Sequence, residues 1–156
     1  MSLLPLFQWL DKTWISSVIR DSTTLFPIIE FCHLLGLVVL LGSIVVMDMR
    51  LLGIGLRRQP IPRVARDLAP VTLAGLMTML VSGTLLAMSE ALKCYSNDAF
   101  RVKMEFLGPA ILFYATIHRK ITSLDKPRPV WAVLTAIVSL TLWFGVGWAG
   151  RAIAFV

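Results

Sequence analysis

Residues 25–49 read LFPIIEFCHLLGLVVLLGSIVVMDM. The run is longer than the roughly 20 mainly apolar residues an α-helix needs to cross the hydrocarbon of a bilayer. Ser22 or Thr23 can cap it and Pro27 suits its first turn. Similar stretches recur, so the sequence predicts four spans, at about 25–47, 69–89, 104–121 and 130–149. The composition agrees. With 57% apolar residues and a mean hydropathy of +0.79, a water-soluble domain of 156 residues could not hide its apolar surface. The reading is an all-α integral membrane four-helix bundle, a single membrane domain over 1–156.

Ahead of the first span, residues 3–20 read LLPLFQWLDKTWISSVIR. Leu3, Phe7, Leu10, Trp14 and Val18 recur every three or four residues, which predicts one amphipathic helix. Trp9 and Trp14 suit the membrane interface, so this helix is expected to lie on the surface. Asp11 and Lys12 interrupt the apolar run and no small-residue cleavage site follows, so it does not read as a signal peptide. Cys32 falls inside a span and Cys94 in a loop, which predicts two free thiols.

The net charge of +6 is concentrated in short loops and does not indicate a nucleic-acid partner. Arg50, Arg57, Arg58, Arg63 and Arg66 surround the first loop, and Arg119, Lys120, Arg128 and Lys126 the third. These nine Lys or Arg outweigh the six elsewhere, so the positive-inside rule makes both loops cytoplasmic. Both termini and the second loop are then outside, periplasmic in a bacterial inner (cytoplasmic) membrane.

Ionisable side chains in hydrocarbon are costly and mark functional sites by default. Glu30 and His33 share a helix face near the outer end of the first span. Asp48 follows 18 residues after Glu30, about 27 Å along the same stripe. Lys103, Ala110, Tyr114 and His118 fall near one face of the third span, and Arg151 closes the fourth. The residues therefore predict an outer polar group of Glu30, His33, Lys103 and Arg151. They also predict an inner group of Asp48, Arg50 and His118, in which Asp48 and Arg50 read as a helix-end ion pair.

Several chemistries could use these groups. His33 and His118 lie about 10 Å and 22 Å deep on spans that run the same way, against one haem bridging both. Haem b on His33 alone, or on His33 with a partner subunit, remains open, with Lys103 and Arg151 pairing the propionates. A homodimer could also set His33 against its own copy. Copper bound by Glu30 and His33 is an alternative. So are a quinone pocket using both residues as a proton relay and a structural role in a larger membrane complex. Nucleophile constellations, phosphate loops and dinucleotide fingerprints are missing, so a cofactor-binding or redox subunit is expected rather than an enzyme on its own.

Four motifs in order carry a resemblance. They are Glu30-Phe31-Cys32-His33-Leu34-Leu35-Gly36, Asp48-Met49-Arg50-Leu51-Leu52-Gly53, Asn97-Asp98-Ala99-Phe100-Arg101-Val102-Lys103 and Gly150-Arg151-Ala152-Ile153. Together, from about residue 25 to 155, they resemble a bacterial four-helix inner-membrane family classed as a domain of unknown function. Asp98 stands where that pattern has proline. The resemblance implies the fold and the membrane and supplies no activity. The His-Leu-Leu-Gly opening is also distantly similar to a helix of copper-resistance membrane proteins and b-type cytochromes.

Overall fold

The computed structural model describes residues 4–153. Among these residues there are helices and no strand. The elements are α1 (Leu4–Asp11), α2 (Trp14–Asp21), α3 (Leu25–Leu51), α4 (Ile61–Ser89), α5 (Ala91–Ser96), α6 (Asp98–Phe113), α7 (Arg119–Thr122) and α8 (Pro129–Ala152). A π-helical turn, Tyr114–His118, joins α6 to α7 without a break. Three helices, α3, α4 and α8, are each long and apolar enough to cross a membrane. Phe31, Val38, Leu73, Val81, Ile137 and Phe144 on them are exposed. An apolar surface this large is compatible with lipid.

The N-terminal segment differs from the single helix expected over 3–20. Leu3 lies outside the described residues, and the rest forms two helices broken at Lys12–Thr13. Thr13 explains the break. Its hydroxyl donates to Leu10 O (2.7 Å) and accepts from Ser16 N (3.4 Å), ending α1 and capping α2. The second long helix begins at Ile61, eight residues before its apolar stretch. Pro62 sits in its first turn, where a missing N–H costs nothing. In the third helical run, Pro109 sits inside α6, but the departure from α-helical geometry comes later, at Tyr114–His118. Asp98 opens α6, and Asn97 Oδ1 accepts from Phe100 N (3.2 Å). A carboxylate in the first turn and a side-chain cap both favour that helix start.

Short connections make consecutive long helices antiparallel. α3 packs on α4 and on α8, and α8 packs on α6, giving the lateral order α4–α3–α8–α6. Between α4 and the end of the α6–α7 run contact is sparse, which leaves a cleft. The core has two parts. Leu40, Ile44, Met79, Ala110, Trp143 and Val146 fill the middle. Met47, Leu51, Ile61, Val64, Ala132 and Ala136 fill the end that holds the 52–60 connection.

In lipid there is little hydrophobic gain in pressing one apolar helix against another, so close packing has to hold them. Gly75 and Gly145 provide it. A Cβ on Gly75 would lie 2.7 Å from Leu40 N on α3, and one on Gly145 would lie 2.6 Å from the Phe106 ring on α6. Gly75→Ala therefore forces α3 and α4 apart. Its expected cost is about 1–3 kcal/mol, read as a lower unfolding midpoint in micelles. Gly108→Ala, which meets nothing within 4 Å, should leave the midpoint no lower than that of the parent.

Candidate functional site

At the inner end, taken as the end with the 52–60 connection, Asp48 is fully buried and His118 is 2% exposed. His118 Nε2 lies 2.8 Å from Asp48 Oδ1. This corrects the expected Asp48–Arg50 ion pair. Residues two apart on a helix point in different directions. Asp48 turns into the bundle, while Arg50 turns out and its Nε donates to Gln59 O (2.8 Å).

The local backbone sets His118 in place. It closes the π-helical turn, and its carbonyl accepts from Thr122 Oγ1 (2.9 Å). Tyr114 stacks on its ring, with centroids 5.2 Å apart and planes 27° apart. Expanded turns of this kind recur at functional sites. With Asp48 ionised, Nε2 carries the proton, and Nδ1 has no hydrogen-bond partner among the described residues. His118 lines a cavity of about 310 Å³ that also meets Tyr114, Thr72, Arg66 and Arg119. Two further features are polar. Thr72 Oγ1 donates to Ser43 Oγ (2.9 Å), and Asp48 Oδ2 is buried with no hydrogen-bond partner among the described residues. A buried imidazole clamped by a carboxylate can give or take a proton, and two arginines favour an oxygen-rich ligand.

The outer polar group is assembled only in part. His33 Nδ1 lies 2.9 Å from Ser82 Oγ. The Ser82 hydroxyl spends its own proton on Thr78 O, so it accepts from His33. That fixes the proton on Nδ1 and leaves Nε2 as a lone-pair donor. The Cε1 atom of the ring comes close to Gly83, where a Cβ would lie 3.0 Å from it. Glu30 does not orient this ring. It is exposed and makes no hydrogen bond or ion pair among the described residues. Lys103 is half-buried with its stem over Gly150, its Nζ 3.7 Å from where a Cβ there would sit. It has no hydrogen bond or ion pair among the described residues. Arg151 lies exposed in the last turn of α8.

Both cysteines are free, Cys32 exposed and Cys94 half-buried. Burial, and then the Glu90 carboxylate, push the Cys94 thiol up against the opposing pull of Lys103 and Lys93. Among the described residues no three His, Cys, Asp or Glu side chains converge as a metal site.

His33 and Asp48 are 15 residues apart on α3, about 22 Å along its axis. The two histidines therefore lie towards opposite ends of the bundle. Sequence reasoning gathered Asp48 and His118 at one end and missed their pairing. It also missed Ser82 as the partner of His33. A hydroxyl in the middle of an apolar span, as in Val81-Ser82-Gly83-Thr84, was the available signal.

His118→Ala leaves a buried carboxylate without its partner, at an expected cost of about 3–5 kcal/mol. Replacing Asp48 and His118 together by leucine should recover most of that loss, and Arg50→Ala should cost no more than about 0.5 kcal/mol. Unfolding midpoints of the three variants in micelles check this ordering. A His118→Ala protein as stable as the parent would contradict it.

Comparison with known proteins bears on the family alone. The model of the family of unknown function DUF6644 matches residues 6–156. No curated protein and no solved structure matches, so the distant likeness to copper-resistance proteins and b-type cytochromes gains no support. Nearly the whole chain fits the family pattern, and the protein is a member of DUF6644.

Proposed function

We propose that this protein is a membrane-embedded redox subunit that binds a quinone-type carrier in its inner cavity and exchanges a proton with it through His118. One observation carries the reading. His118, held by Asp48, lines a cavity of about 310 Å³, and its second ring nitrogen has no hydrogen-bond partner among the described residues. That volume lies at the small end of ligand pockets and suits a single substituted ring. Tyr114 offers a neighbouring aromatic face, and Arg66 and Arg119 offer donors for ring oxygens. The cleft beside α4 gives an apolar tail a route to lipid. Reduction of a quinone to a quinol takes two electrons and two protons. Here a redox centre of a partner subunit supplies the electrons and solvent supplies both protons, one of them taken up by Nδ1 of His118 and passed to a ring oxygen.

In the same reading four helices cross the membrane: α3, α4, the run Asp98–Thr122 and α8. The α1–α2 layer lies in the interface, supported by the exposure of Trp9 and Trp14. The charge bias makes the 52–60 and 123–128 connections cytoplasmic and both termini periplasmic, in a bacterial inner membrane.

Titrating the protein in nanodiscs with a short-tailed quinone should quench tryptophan fluorescence saturably. Asp48→Asn and His118→Gln should each weaken binding about tenfold, the worth of one hydrogen bond to a charged or strongly polarised group. Quenching that never saturates, or that is unchanged in both variants, refutes the proposal and favours a structural subunit.

A second reading has its own support. Ser82 leaves His33 Nε2 as an open lone pair beside glycine, as a haem b ligand requires, and Lys103 is available to a propionate. Protein from haem-supplied cells should then show a Soret band that His33→Ala abolishes. A colourless preparation ends this reading. Copper handling through Glu30 and His33 has no supporting observation.

A further inference from the structure

A second cavity, of about 280 Å³, opens at the outer end of the bundle, far from the Asp48–His118 pair. It lies where α2, the start of α3 and the end of α4 meet. Arg20, Ser22, Thr23, Phe26, Pro27 and Glu90 line it. One cation and one anion therefore share a small cavity beside the first turn of a helix long and apolar enough to cross a membrane.

Each charge is only partly used by protein. Arg20 Nη1 pairs with Asp11 (2.7 Å) and reaches Ser89 O (3.4 Å) and Nη2 donates to Asp11 O (3.3 Å), which leaves Nε without a partner among the described residues and the side chain 42% exposed. Glu90 pairs with Lys93 through Oε1, which leaves Oε2 without a protein partner among the described residues. Ser22 Oγ accepts from Leu25 N (3.0 Å) and Thr24 N (3.4 Å), so its own proton remains available to an acceptor. Below these groups, Phe26 and Pro27 begin the apolar surface of α3.

We infer that this cavity seats an aminophospholipid headgroup, a phosphate followed by a primary ammonium. The phosphate is met by Arg20 and the hydroxyls of Ser22 and Thr23. The ammonium is met by Glu90, and the acyl chains run down α3 past Phe26. Glu90 decides the class. A purely anionic headgroup would face its carboxylate, and a quaternary ammonium has no N–H to donate to it. The exposed Trp9 and Trp14 on α1 and α2 fit a site at headgroup depth.

The test is native mass spectrometry of protein released from membranes containing equal phosphatidylethanolamine, phosphatidylcholine and phosphatidylglycerol. Phosphatidylethanolamine should be retained preferentially. Glu90→Gln should cut its excess over phosphatidylglycerol by roughly two- to fivefold, the worth of one exposed ion pair. Lys93→Gln, which releases the other carboxylate oxygen, should keep or raise that excess. Equal retention of the three lipids, or an undiminished preference in Glu90→Gln, overturns the inference.

Discussion

A carboxylate sealed among helices has no water to turn to, and the fold must answer it with a partner. Asp48 on α3 is answered by His118, which closes the π-helical turn beyond α6. That one contact ties the first long helix to the third helical run, which are not neighbours in the α4–α3–α8–α6 order. It also fixes which side of α3 faces inward. Ser43 and Met47 then fall on the protected face, and Met49 falls on the exposed one. The apolar core gives the bundle cohesion, but apolar faces can slide past one another. A buried imidazole–carboxylate pair cannot, because every other register leaves a charge unmet.

The two polar ends are kept apart by the middle of the bundle. Between His33 and Ser43 the inward positions of α3 are Gly36 and Leu40, packed with Met79, Trp143 and Val146. This apolar layer separates a lone-pair imidazole at one end from a carboxylate-held imidazole at the other. Each imidazole therefore lies on its own side of the layer. A chain with two histidines in this way holds them in two different surroundings.

Much of this was legible in the residues. Apolar length found three of the four expected spans, α3, α4 and α8, and the rarity of charge within the expected spans picked out Glu30, His33, Asp48, Lys103 and His118. What could not be read was which way each side chain turns. Glu30 and His33 are three residues apart, close enough to share a face, yet the imidazole turns to Ser82 while the carboxylate faces outward. Asp48 and Arg50 attract on paper because they are near in sequence, but two residues of helix carry them to different sides. The break at Thr13 was hidden because the apolar spacing continues through it, and a hydroxyl cap leaves no mark on periodicity. The pairing of Asp48 with His118 depends on contact across 70 residues of chain, which local spacing does not encode.

The expanded turn at Tyr114–His118 also sets the phase of everything after it. A π turn takes in one more residue than an α turn, so the following segment is rotated by about one residue's arc, near 100°, from where a regular helix would carry it. Arg119, Thr122 and Ser123 reach the cavity wall by virtue of that offset. The length of this five-residue segment is thus a geometric parameter in its own right. Homologous chains that lack one residue here would aim a different set of side chains at the same space, with every amino acid around it unchanged.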